Sequence, residues 1–259
     1  MPNSITLILS IVLSILLIAC GSEDAGTATD AEVAGLWIGK TTETIAATET
    51  EFDTYLLFSG PTVFILREDE GHIGFYTVEK NGHVTMDTEV FSYATPDTDN
   101  NFYIGTRNSS RIELDSLFAT SQTIFANYDG GTRSGSIELS LDTGQVANLT
   151  LDRVKGTWGT TGSVLYINEL GGIIGSASGC QWEGDLSSFS QGFLRLSIER
   201  KLCTEFNQPI ESPIEGVAFI DGEGSLHFLA QDNSTFIWQR FDPTTATVVT
   251  EATEEEVVE

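Results

Sequence analysis

From residue 35 to residue 241 the chain has no sustained helical periodicity. Short runs of alternating apolar and polar side chains recur roughly every eight to twelve residues instead, with turn-forming residues between them. Runs at 54–58, 62–66, 74–78, 112–118, 192–198 and 235–241 follow the period of two that places every second side chain on one face of a strand. Between runs stand Ser59-Gly60-Pro61, Asn81-Gly82, Asp129-Gly130-Gly131, Leu170-Gly171-Gly172 and Asp221-Gly222-Glu223-Gly224, residues that accept positive φ or set a turn. Asn81-Gly82 is the clearest hairpin signal. The pattern restricts the chain to an all-β fold, built as two antiparallel barrel or sandwich-like modules, residues 33–153 and 154–241.

Charge narrows the partners. The chain has 259 residues, and 12 Lys and Arg face 38 Asp and Glu, a net charge of −26. Residues 33–241 alone carry 28 acidic and 12 basic side chains. Such a field repels phosphates and anionic head groups, so nucleic acid and direct adhesion to a membrane surface are excluded as partners of the folded part. Hydrophobic residues make up 40 %, with 15 Phe, 6 Tyr and 4 Trp, enough apolar area to offset chain entropy. Residues 242–259 hold six acidic residues and no basic one, a composition expected to stay solvated and disordered.

The N-terminus carries an address. Ile5 to Ala19 is an apolar run interrupted only by Thr6, Ser10 and Ser14, shorter than the roughly 20 residues that span a bilayer and suited to a signal h-region. It ends in Leu17-Ile18-Ala19-Cys20-Gly21, which resembles the lipobox of bacterial lipoproteins. The resemblance implies that residues 1–19 are removed, that the Cys20 thiol receives the lipid, and that Gly21, in place of the Asp that retains such proteins in the inner membrane, directs the protein to the outer membrane. It would face the periplasm or the cell surface, with the lipid as its membrane partner. Residues 20–32 are small, polar and acidic, a tether that reaches about 40 Å when extended.

The folded part contains an internal echo. Val33-Ala34-Gly35-Leu36-Trp37 returns as Val154-Lys155-Gly156-Thr157-Trp158. Gly before Trp at the start of a module resembles the G-x-W motif of lipocalin-like proteins, in which the Trp closes one end of an eight-stranded barrel beneath a basic residue of the last strand. That resemblance implies a closing pair of Trp158 and Arg240, the latter in Phe236-Ile237-Trp238-Gln239-Arg240-Phe241. Packed sandwiches or side-chain-filled barrels are the alternative. Gly171-Gly172, Gly179-Cys180-Gln181-Trp182-Glu183-Gly184, Cys203 and Arg240 also look like a module of uncharacterised bacterial lipoproteins, which implies architecture and no activity.

Chemistry-bearing residues are sparse. With Cys20 lipidated, Cys180 and Cys203 remain as an even pair in an oxidising compartment, and a structural disulfide is expected, worth about 3 kcal/mol in unfolded-chain entropy. His72, His83 and His227 fall in no metal-ligand spacing and read as surface or strand-end residues. Asp97-Thr98-Asp99-Asn100-Asn101 opens like a calcium loop, but Phe102 stands where Gly is needed and Asn108 where a bidentate Glu is needed. Gly175-Ser176-Ala177-Ser178-Gly179 puts Ala where a hydrolase nucleophile would sit. The sequons at Asn108, Asn148 and Asn233 carry no meaning in a bacterial lipoprotein.

The expectation is therefore a non-enzymatic binding protein without metal or cofactor, anchored on the envelope. Its partner is a protein or a small ligand that is neutral or cationic and partly apolar, because an anion would meet an opposing field. Large apolar side chains such as Phe64, Phe75, Tyr76, Phe193 and Phe228 could line an enclosed face. A glycan-acting hydrolase and a purely structural envelope component are the alternatives. Facing carboxylates in an open groove would favour the hydrolase.

Overall fold

Alternation decides which side of a strand meets a core, and strand pairing decides how those sides are gathered. A computed structural model describes residues 33–79, 83–93, 102–119, 122–129, 133–145, 147–160, 162–190, 192–204 and 210–243. The signal segment, the tether with Cys20, Asn81-Gly82, the opening of the calcium-like loop and the acidic segment after Pro243 lie outside the described residues.

The first eight strands are β1 (Gly35–Ile45), β2 (Thr48–Ser59), β3 (Thr62–Leu66), β4 (Glu70–Val78), β5 (His83–Tyr93), β6 (Phe102–Ala119), β7 (Thr123–Asp129) and β8 (Arg133–Leu141). Each pairs antiparallel with the next, and β8 returns to β1 with Trp37 opposite Leu141 and Ile45 opposite Arg133. These pairings form a ring, an up-and-down barrel. Inward positions gather Trp37, Leu56, Phe58, Val63, Ile65, Val84, Met86, Ile124, Ile137 and Leu139 into one core.

A one-turn helix α1 (Leu151–Val154) leads into β9 (Gly156–Thr160), β10 (Ser163–Ile167), β11 (Gly172–Ala177), β12 (Cys180–Ser190), β13 (Phe193–Lys201), β14 (Ile210–Ile220), β15 (Leu226–Gln231) and β16 (Thr235–Phe241). They form a second antiparallel meander. It curls until β9 meets the residues after β16: Trp158 bridges Pro243, and the Gly159 N–H donates to the Asp242 carbonyl at 2.9 Å. Residues 242 and 243 thus belong to the fold, a correction to a solvated tail starting at 242, because the free edge of β9 offers their backbone hydrogen bonds.

The two halves are one sheet of sixteen strands, open at β9, because β6 pairs with β16. The start of β6 serves both modules: Phe102 and Ile104 pack into the core of the second, beside Trp182 and Phe241. A third core lies between the modules. Leu36, Leu57, Phe64, Leu66, Ile73 and Phe91 of the first meet Phe193, Val217, Phe219, Leu229, Phe236 and Trp238 of the second. Strands on this seam are apolar on both sides, since each separates two cores.

The internal echo is a repeated structure. The Trp37 indole N–H donates to the Val33 carbonyl at 2.9 Å, and the Trp158 indole N–H donates to the Val154 carbonyl at 2.6 Å. Between donor and acceptor, Gly35 and Gly156 take φ of 131° and 117°, values that a side chain disfavours and that turn the entering segment back across the first strand.

Candidate functional site

At the edge of the seam the two modules leave a cleft of about 210 Å³, lined by Asp53, Tyr55, Glu68, Tyr103, Trp238 and Arg240. Period two explains its composition. On β2, Asp53 and Tyr55 share the outward face with the seam residue Leu57; on β16, Trp238 and Arg240 share the face of Phe236. Tyr103 stands directly opposite Trp238 across the β6–β16 pair. Their rings lie 4.6 Å apart at 17°, and Tyr55 is tilted against the indole at 5.6 Å.

The indole is held from behind. Its Nε1–H donates to Nδ1 of His227 at 3.2 Å, and Nε2 of His227 lies 2.9 Å from Oδ2 of Asp221. An indole can only donate, so Nδ1 accepts, Nε2 carries the proton, and the imidazole is neutral. Burial lowers the His227 pKa and outweighs the opposing pull of Asp221. Burial would raise the Asp221 carboxyl, but the hydrogen bonds from His227 and the Ser225 N–H hold it below its ordinary value. Phe219 stacks on the imidazole at 4.6 Å. Both ring nitrogens are engaged and His227 is fully buried, so this Asp–His pair has no nitrogen to offer the cleft as a base. Its work is to fix Trp238.

Charge around the cleft is uneven. Asp53 and Glu68 are exposed acids on the lining. Asp53 meets Lys40 at 2.7 Å in an exposed pair, which screening makes weak. Arg240 is bound to Glu223 at 3.2 Å and Asp242 at 3.3 Å. Burial raises the pKa of Tyr55 and of Tyr103, so both phenols stay protonated.

Charged side chains also lie inside each module. At the end of the first barrel away from Trp37, Glu43 accepts from Arg67 at 2.7 Å and from Arg133 at 2.7 and 2.8 Å, and Glu70 accepts from Arg133 at 2.9 Å and meets His72 at 2.8 Å. Arg67 lies over the Phe52 ring at 4.0 Å and forks onto Asp69. Burial alone would raise Glu70, yet His72 and Arg133 hold it well below the usual carboxylate range. Opposite charges answer one another, and the network plugs the barrel. In the second module Arg200 is buried over Phe102 at 4.3 Å and Trp182 at 5.4 Å, and donates to Cys180 Sγ at 2.9 Å; burial pushes its pKa down to about 10.

Cys180 and Cys203 are joined, with the sulfurs 2.05 Å apart, tying the start of β12 to the segment after β13. Trp158 and Arg240 are not brought together: Trp158 packs in the second module's core, whereas Arg240 projects from the other face of its strand into the cleft. The cation resting on a Trp in that module is Arg200. His72 and His227 are buried, contrary to the surface reading, because their inward or seam-facing positions each meet a carboxylate. His83 starts β5, as a strand-end residue. Among the described residues no group of three or more His, Cys, Asp or Glu side chains is placed to hold a metal ion. Cys20 lies outside the described residues.

No family model matches the chain, and no curated protein matches it. One solved structure with some likeness is a protein of unknown function from the DUF3598 family of Nostoc punctiforme, with 9 % identity, a TM-score of 0.22, and coverage of 82 % of this chain and 97 % of that one. A likeness so slight bears on neither fold nor function.

Proposed function

We propose that this protein is a non-enzymatic binding module of the bacterial envelope, held on the outer membrane through lipid at Cys20, and that its ligand seat is the cleft between the two barrels. The observation that carries the reading is the aromatic wall of Tyr55, Tyr103 and Trp238, fixed from behind by His227 and Asp221 and edged by carboxylates. A rigid apolar wall beside a few placed polar groups suits recognition of a small, partly apolar ligand that is neutral or cationic. The acidic field of the chain disfavours anions. With both nitrogens of His227 occupied, the imidazole offers the cleft no base, and a glycan-acting site would have to rest on Asp53 and Glu68 alone.

The test compares native and denatured masses of protein purified under non-denaturing conditions, with and without Tyr55→Ser. A neutral or cationic molecule that copurifies with the natural chain and is lost from the variant supports the reading. Turnover of peptidoglycan or polysaccharide, abolished by replacing one carboxylate, would replace it with a hydrolase. Fatty-acid labelling unchanged by Cys20→Ala would remove the anchor.

A further inference from the structure

Resting on that reading, we propose that the cleft takes an organic cation: an alkylated ammonium group seated against the half-buried Tyr55 ring beside the buried Tyr103–Trp238 stack, with Glu68 and the Lys40-paired Asp53 as its counter-charges. Aromatic faces attract cations that shed water readily, and methylated ammonium groups do so more easily than metal ions or a bare ammonium. The lining offers such a group rings and two carboxylates, and no cluster of oxygen ligands of the kind a hard cation needs. A volume of about 210 Å³ is below the roughly 300 Å³ at which drug-sized pockets begin, and fits a head group of a few heavy atoms.

Arg240 lines the same cleft, and its charge opposes that of a cation. Its guanidinium is, however, engaged by Glu223 and Asp242, so this corner carries more negative than positive charge. The effect of replacing Arg240 therefore takes its sign from the charge of the ligand. For a cationic ligand, replacing Arg240 removes a repulsive charge and frees two carboxylates, so affinity rises. For a ligand recognised through an anionic group, the same change removes the anchor.

The experiment uses the mature protein in a non-ionic detergent and follows tryptophan fluorescence as choline, phosphocholine or 3,3-dimethylbutan-1-ol is added. The last has the shape of choline with carbon in place of the charged nitrogen. Choline should quench saturably and bind at least about tenfold more tightly than the neutral isostere, the advantage of a partly desolvated cation on an aromatic face. Phosphocholine should bind more weakly than choline, since its phosphate meets the acidic rim; tighter phosphocholine binding would assign the site to a lipid head group instead of a free amine. Glu68→Gln, a change at an exposed turn residue, should weaken choline several-fold, and Arg240→Gln should strengthen it. Equal binding of choline and its isostere, loss of choline binding in Arg240→Gln, or no saturable response to choline each overturns the cation assignment. The binding reading itself stands or falls separately, on the copurifying molecule and Tyr55→Ser.

Discussion

Tyr103 and Trp238 face each other as cross-strand partners at the join of the two barrels, their rings 4.6 Å apart and nearly parallel. Both are almost wholly buried, so the stack is part of the seam as well as the wall of the cleft. Tyr103→Leu and Trp238→Leu should each cost about 2–4 kcal/mol in urea unfolding, and the double variant should cost about 1 kcal/mol less than their sum, the share of the ring pair itself. Strict additivity would mean that the stack contributes nothing beyond buried area.

The β1–β2 turn is made by Ala46 and Ala47, both at positive φ, 47° and 69°, with Ile45 opposite Thr48. Alanine is strained there, at about 1 kcal/mol or more for each residue. Ala46→Asn with Ala47→Gly should therefore raise the unfolding free energy by about 1–2 kcal/mol. Gly156→Ala should lower it by a similar amount, although nothing lies within 4 Å of the added carbon, because φ of 117° is the only obstacle. A neutral Gly156→Ala in thermal melts would contradict the repeated Gly–Trp entry as a conformational requirement.

Arg133 bridges Glu43 and Glu70 inside the first barrel. Arg133→Met should cost about 3–5 kcal/mol, since it leaves two acids in the interior with less compensation. The same network sets the acid limit. Glu70 is held below its ordinary 4.5 in the fold, so its contribution is present above that pH and is lost as pH falls further. His227, held below 6.5, adds an earlier loss: its neutral form is favoured in the fold, so stability falls as pH drops below 6.5. Urea midpoints measured from pH 8 to pH 3 should decline in these two stages, and His227→Asn should flatten the upper one.

The Cys180–Cys203 link closes a loop with a sequence separation of 23. Reduction should lower unfolding free energy by about 3 kcal/mol through the freed unfolded chain. Identical urea curves with and without a reducing agent would contradict this.

The strands were legible because alternation and glycine turns are local signals, and Gly60 and Gly171 do take positive φ at their turns. The Ala46-Ala47 turn was not, since nothing in two alanines announces a left-handed pair. The cleft is not legible locally, for a different reason. Tyr55, Tyr103 and Trp238 are brought together by the pairing of β6 with β16, a contact between residues more than a hundred positions apart. A trace of it exists in the residues themselves. Tyr55-Leu56-Leu57-Phe58, Val63-Phe64-Ile65-Leu66 and Phe236-Ile237-Trp238 are apolar on both faces, a mark of strands buried on two sides. The expected Trp158–Arg240 pair failed by parity: with Phe241 facing the core that holds Trp158, Arg240 must face away.

Each tryptophan marks one compartment: Trp37 the first barrel, Trp158 and Trp182 the second, and Trp238 the cleft. Their four indole N–H resonances, recorded in a nitrogen–proton correlation spectrum during a choline titration, locate the ligand directly. The Trp238 resonance, identified by its absence in Trp238→Phe, is predicted to shift saturably while the other three stay in place. Movement of the Trp37, Trp158 or Trp182 resonance with Trp238 unchanged would put the ligand inside a barrel and contradict the account.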